Sequence, residues 1–147
     1  MVTLTGAGYQ SDENRNLYEK LCKKASEAGY LKLDETGSAL DAVCSAIAVL
    51  EDSELTNAGL GSNLCMNGTV ECDAGIMSSC NCDWAAVGAL KGIKNPIVVA
   101  RDILLQQSSK IPCGLVPPSL LVGDGARDWA IENNSSTSAE LSTGLFR

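Results

Sequence analysis

The sequence predicts an α+β protein, and three observations carry that reading. Helical and strand-like segments occur in near-equal share along 147 residues, about one domain by the usual length. Two strand-like runs in the middle, 70–77 and 84–90, are joined by a connection too short for a parallel crossover, so they should pair antiparallel. The strands are few for a closed architecture, so the layered fold is expected to be incomplete within this sequence.

In chain order, Val2 to Leu4 reads as a short strand ending in the glycine turn Gly6-Ala7-Gly8. A helix is expected from Ser11 or Asp12, with Leu17, Leu21, Ala25 and Ala28 on one face and Gly29 as its stop. A second starts near Ser38, with Asp41 placed for a capping box, and runs through Leu40, Val43, Cys44, Ile47 and Leu50. It is apolar on most sides, so it should be packed inside. Strands at 70–77 and 84–90 flank the turn-rich Ser78-Ser79-Cys80-Asn81. Asn95-Pro96 starts a helix that fades near Gln107, with Asn as cap and Pro at the first helical position. A short strand at 120–122 then leads through Gly123-Asp124-Gly125 into a short helix containing Trp129. The expected organisation is one structured part, 1–133, and a loose polar tail, 134–147.

Composition narrows the chemistry. Hydrophobic residues make up 45%, enough for a core, and with one Phe, three Tyr and two Trp that core is aliphatic. A net charge of −7 argues against nucleic acid and anionic membrane surfaces as partners. No apolar run is long enough to span a bilayer, and Met1-Val2-Thr3-Leu4 is followed by glycines and no signal-peptide core. Seven cysteines, an odd number without a paired framework, fit reduced thiols in an intracellular compartment, cytoplasm or nucleus. Without a His or a C-x-x-C pair, Cys72, Cys80 and Cys82 do not read as a zinc site. The absence of His also excludes a Ser-His or Cys-His nucleophile pair within the chain. No cofactor is expected.

The residues that stand out are Thr56-Asn57-Ala58-Gly59-Leu60-Gly61-Ser62-Asn63-Leu64, followed by Glu71-Cys72-Asp73-Ala74. Gly59 and Gly61 permit backbone angles closed to other residues and leave room for a ligand to approach the main chain. Asn57, Ser62 and Asn63 supply amides and a hydroxyl that can hold one orientation. Other motifs have plainer readings. Gly6-Ala7-Gly8-Tyr9 lacks the third glycine of a dinucleotide fingerprint and the Lys of a P-loop, leaving a tight turn or a main-chain contact with a ligand. Asp73 reads as a buried acid bonded to backbone amides, with a catalytic carboxylate as the alternative. Glu51-Asp52 reads as a solvated acidic corner, with a cation-holding helix end as the alternative.

Taken together, these segments resemble the α-subunit portion of a threonine aspartase (taspase), within the asparaginase/glycosylasparaginase family of N-terminal-nucleophile hydrolases. The matching pieces are Gly6-Ala7-Gly8-Tyr9, Leu50 to Ser53, Thr56 to Leu64, Gly68 to Ala74, Ala86 to Leu90 with Gly92-Ile93-Lys94-Asn95-Pro96, and Pro117-Pro118 with Leu121 to Ala126. The Asn-Ala-Gly-x-Gly-Ser core is shared across the family. Thr56, where asparaginases tend to have Phe, Cys72, where they tend to have Met, and the Gly92 to Pro96 segment tilt the match towards taspase.

The resemblance implies an αββα sandwich that is incomplete without a β-subunit half. It implies a precursor that cuts itself before a Thr, whose hydroxyl becomes the nucleophile and whose α-amine is the base, so no His is needed. Taspases apply this to protein peptide bonds following Asp; asparaginases apply it to free Asn or β-aspartyl dipeptides. By position, Gly6 and Asn57 match residues lining the nucleophile's pocket. The sodium-binding carbonyls of asparaginase-type members fall on Leu50, Glu51, Ser53, Thr56, Ala58 and Leu60. The nucleophile segment is absent, and Gly68-Thr69-Val70 aligns to an α-subunit strand instead. The family's His at the end of the first strand is Leu4, and its Asp-Gly after Ile-Met is Ser78-Ser79. The chain alone is therefore expected to be inactive and to pair with a Thr-bearing β-subunit as a heterodimer, doubled to a heterotetramer. An amidohydrolase subunit is the alternative. A non-catalytic protein that pairs with full-length copies is another, and it would leave apolar sheet faces exposed.

Overall fold

The computed structural model describes residues 12–109, 114–133 and 135, and the chain divides into two compact units at the Ser62–Asn63 peptide. The expected strand at 2–4, the turn containing Gly6, and the tail beyond Asn133 apart from Ser135 lie outside the described residues.

The first unit is a helical hairpin. A single 3-10 turn, Asp12–Asn14, leads into α1, Arg15–Thr36. Leu21, Ala25 and Gly29 are buried at four-residue spacing and pack on the second helix. The expected stop at Gly29 is therefore wrong. A glycine inside a helix costs about 1 kcal/mol relative to Ala, but here it continues the narrow buried stripe. The real stop is Gly37, at φ 67°, whose N–H donates to Leu33 O at 2.8 Å. Helix α2, Ala39–Glu51, starts as the sequence implies: Ser38 is the N-cap and its Oγ accepts from Asp41 N at 3.2 Å. It buries Ala42, Cys44, Ala46 and Glu51, while Val43 stays 42% exposed, so it is less enclosed than its composition suggests.

The second unit is a three-stranded sheet with helices. Strands β1, Cys72–Met77, and β2, Trp84–Leu90, pair antiparallel with Gly75 opposite Ala86 and Met77 opposite Trp84. Helix α3, Pro96–Gln107, follows, and β3, Leu120–Val122, pairs parallel with β2 before α4, Gly123–Glu132. The sheet order is β1-β2-β3. The start of β1 falls two residues later than expected, and its register shifts between Cys72 and Ala74.

Alternation along the strands separates two faces. Ile76, Ala85 and Val87 are buried, and α3 packs on β1 and β2 with Ile97, Val99, Ala100, Ile103 and Leu104. The opposite face carries Asp73, Gly75, Met77, Trp84, Leu120 and Val122; Met77 is 73% exposed and Val122 59%. Helix α4 packs on β2 and β3 and buries Ala126 and Ala130. The described residues are thus α+β, with a mixed sheet.

Candidate functional site

The loop after α2 is built by satisfying a helix end. The last carbonyls of a helix have no intrahelical donor. Here Leu50 O accepts the Thr56 hydroxyl at 2.6 Å and the Ser53 N–H at 3.2 Å, and Thr56 Oγ1 also lies 3.3 Å from Ser53 O. Thr56 is buried. The loop is thereby tied back to the helix it leaves.

Two glycines close it. Gly59, at φ 54°, is buried, and a Cβ there would lie 2.4 Å from Glu51 O and 2.8 Å from Glu51 Cβ. A Cβ on Gly61 would lie 2.2 Å from Thr56 O and 2.7 Å from Ser53 O. The expectation that these glycines admit a ligand to the main chain is corrected: what approaches is the chain's own backbone. Gly61 N then donates to Ala58 O at 3.2 Å and Ser62 N to Gly59 O at 3.3 Å, forming the short turn Gly59–Gly61.

Asn57 is exposed between these two buried anchors, Thr56 on one side and Gly59 on the other. Its backbone is held from both directions by these anchors, while the residue itself lies at the surface. This is what a substrate-orienting side chain requires. Gly6, the other expected pocket residue, lies outside the described residues.

Glu51 departs from the expectation of a solvated acidic corner. Asp52 is exposed, but Glu51 is only 3% exposed, and its Oε2 is a buried atom without a hydrogen bond. Gly59 packs over its backbone and Cβ. The signal was present in the sequence: residue 51 lies seven positions after the buried Cys44, on the same helical face.

Among the described residues no three His, Cys, Asp or Glu could share a metal ion. Ser53 O and Thr56 O crowd the point that a Cβ of Gly61 would fill, and Glu51 O crowds the same point at Gly59, so neither glycine leaves room for the sodium that the resemblance implies.

The second unit holds the remaining polar candidates. Asp73 is exposed, not buried as expected, because it sits on the open face of the sheet. Its Oδ1 accepts the Ala89 N–H at 2.9 Å, where Ala89 adopts φ 49° beside the register shift. Its position answers to strand geometry. Glu71 and Lys91 form an ion pair at 3.1 Å. The hydrogen bond that Lys91 donates to Glu71, then the charge of Glu71, raises the Lys91 pKa above the ordinary 10.5; Asp124 and Cys65 add to this, and burial opposes it. Cys22, Cys44, Cys65, Cys72, Cys80 and Cys82 are free thiols.

The sequence profile described as Asparaginase matches residues 1–143. A plant-type L-asparaginase of Pyrococcus furiosus is 41% identical over 128 residues, 85% of this chain and 38% of that protein. An isoaspartyl peptidase/L-asparaginase of Xenopus laevis is 44% identical over 104 residues, 71% of this chain and 34% of the relative. The mouse protein of the same description is 36% identical over 125 residues, covering 85% and 36%. The chain thus spans little more than a third of the length of these relatives.

Proposed function

The chain belongs to the asparaginase family, and we propose that it forms one wall of an amide-hydrolysing site whose nucleophile is the N-terminal Thr of a β-half. The observation that carries this reading is the exposed Asn57 held between two buried anchors. In the proposed reaction the Thr hydroxyl attacks an amide carbonyl and its own α-amine takes the proton. The C–N bond breaks, ammonia or the peptide amine leaves with that proton, and water then hydrolyses the acyl-enzyme. The Asn57 amide binds the nucleophile or the developing oxyanion. The partner half would complete an αββα sandwich by covering the open face that carries Met77, Trp84, Leu120 and Val122. The complex is then a heterodimer, doubled to a heterotetramer.

For the substrate we favour the side-chain amide of asparagine or a β-aspartyl peptide bond. Support comes from the relatives at 36–44% identity, which are described as asparaginases and isoaspartyl peptidases. The endopeptidase reading, cleavage after Asp in a protein, leaned on Thr56, Cys72 and the segment Gly92 to Pro96. Thr56 ties the loop to Leu50, Cys72 is buried at the start of β1, and Pro96 opens α3. Each has a packing role that accounts for it without a protein substrate.

The test is to express this chain with a separately made Thr-starting β-half. Complex formation followed by hydrolysis of asparagine or a β-aspartyl dipeptide is expected, and hydrolysis of an internal Asp peptide alone would reverse the preference. Asn57→Ala should leave assembly intact and lower turnover by about 100-fold or more, as loss of an oxyanion donor does. No complex, or an unchanged rate in this variant, would sink the assignment.

A further inference from the structure

We propose that Asn67 is a site of spontaneous deamidation, converted to isoaspartate by attack of the Gly68 main-chain nitrogen on its own side-chain amide. Of the asparagines in the sequence, Asn67 alone precedes a glycine. The segment around it is a tight hairpin: Cys65 N donates to Thr69 O and Gly68 N to Cys65 O, both at 2.8 Å, with Gly68 at φ 78°. That is a three-residue loop closed by a left-handed glycine. Met66 and Asn67 are exposed, so water reaches the tip.

The reacting groups are arranged by Thr69. Its N–H donates to Asn67 Oδ1 at 3.1 Å and its hydroxyl donates to the same oxygen at 2.7 Å. These bonds fold the amide back over the Gly68 peptide. They also place two donors on the oxygen where negative charge collects during attack. Gly68 adds no obstruction, since nothing lies within 4 Å of where a Cβ would be. The Gly68 N–H bond to Cys65 O opposes attack and has to open first. Hydrogen bonds at exposed loop tips open at the low end of the stability scale.

The step balances without an oxidant or cofactor. Gly68 N bonds to Asn67 Cγ and gives up its proton, and the side-chain amide nitrogen departs as ammonia, leaving a succinimide. Water then opens the ring. Attack at the former main-chain carbonyl routes the backbone through the β-carbon as isoaspartate, and attack at the other carbonyl gives Asp. The isoaspartate product adds a negative charge and a methylene to the main chain just before β1, and turns the oxygen that Thr69 bonds into a main-chain carbonyl.

The experiment uses the full chain, held at mildly alkaline pH and body temperature, then cut after Glu54 and Glu71 to release residues 55–71 for mass spectrometry. That fragment carries its own references, because Asn57 precedes Ala58 and Asn63 precedes Leu64. The amide-to-acid mass gain should appear at Asn67 at least about tenfold faster than at the other two, a modest difference in barrier. Backbone fragmentation should find isoaspartate as the main product. Thr69→Val, checked for unchanged circular dichroism, should slow the reaction about fivefold, the effect of one net hydrogen bond. Gly68→Ala also changes the loop, so Thr69→Val is the informative variant. Asn67-Gly68-Thr69 has the spacing of a glycosylation acceptor as well. A glycan on Asn67, a rate no faster than at Asn57 and Asn63, Asp without isoaspartate, or an unslowed Thr69→Val would each overturn the proposal.

Discussion

Two loops of this protein are written in nearly the same residues and are held by opposite means. The loop 50–62 and the hairpin 65–69 both combine Asn, Gly and Thr. In the first, Thr56 is turned inward to cap Leu50 O, and both glycines face crowded carbonyls. In the second, Thr69 is bonded to the exposed Asn67, and Gly68 faces open space. The first loop is fixed by what a side chain would collide with, the second by exposed hydrogen bonds and one left-handed glycine. Rigidity of the first kind suits a site; freedom of the second kind suits chemical change.

Substituting the glycines tests that contrast directly. Gly61→Ala should be the most damaging, because a methyl 2.2 Å from Thr56 O has only backbone to displace. A loss of more than about 3 kcal/mol is expected from such overpacking. Gly68→Ala meets no atom and should cost about 1–2 kcal/mol for its left-handed angle alone. Urea unfolding followed by circular dichroism would measure both, since Trp84 and Trp129 lie outside the helical hairpin. Equal losses would erase the distinction between the loops.

The inward threonine comes next. Thr56→Val keeps the shape of a buried side chain and removes its bond to Leu50 O, so about 1–2 kcal/mol should be lost. The same change at Thr69 should barely move the unfolding midpoint, since water replaces its exposed partner. Asp73→Ala offers an intermediate case. The Ala89 N–H loses its acceptor beside the register shift, but the bond is exposed and water can replace it, so about 0.5–1 kcal/mol is expected by thermal unfolding. A larger loss would show that Asp73 determines the register itself.

Much of this was legible in the sequence where local rules and packing agree. The Ser38 cap, the span of β2, and the opening of α3 at Pro96 follow from capping, alternation and proline geometry. The asparaginase family was equally legible, from the Asn57 loop and the motifs around it. Reading failed where a residue's role depends on a distant neighbour. Gly29 looked like a helix stop and serves as a packing position. Gly59 and Gly61 looked like room for a ligand and are room for the chain itself. Glu51 looked solvated because its charge masked its place on the buried face of α2 shared with Cys44. In each case the residue type was informative and the neighbour it answers to was not visible.

The smallest effect expected is at the base of the hairpin, where Lys91 pairs with Glu71 in the open. The pair raises the lysine's pKa in the folded chain above its ordinary 10.5. A group whose pKa rises on folding stabilises the protein while both states are protonated, so the contribution is complete below 10.5 and fades as pH climbs through the raised folded value. Exposure and salt screening keep it small. Lys91→Met should therefore leave the unfolding midpoint nearly unchanged at neutral pH in physiological salt. The gap between variant and parent should be widest in low salt and should close in strongly alkaline solution. A gap that persists unchanged through that alkaline range would assign the Lys91 contribution to its packed methylenes, and would place the base of the hairpin with the inward loop as a region held by contact.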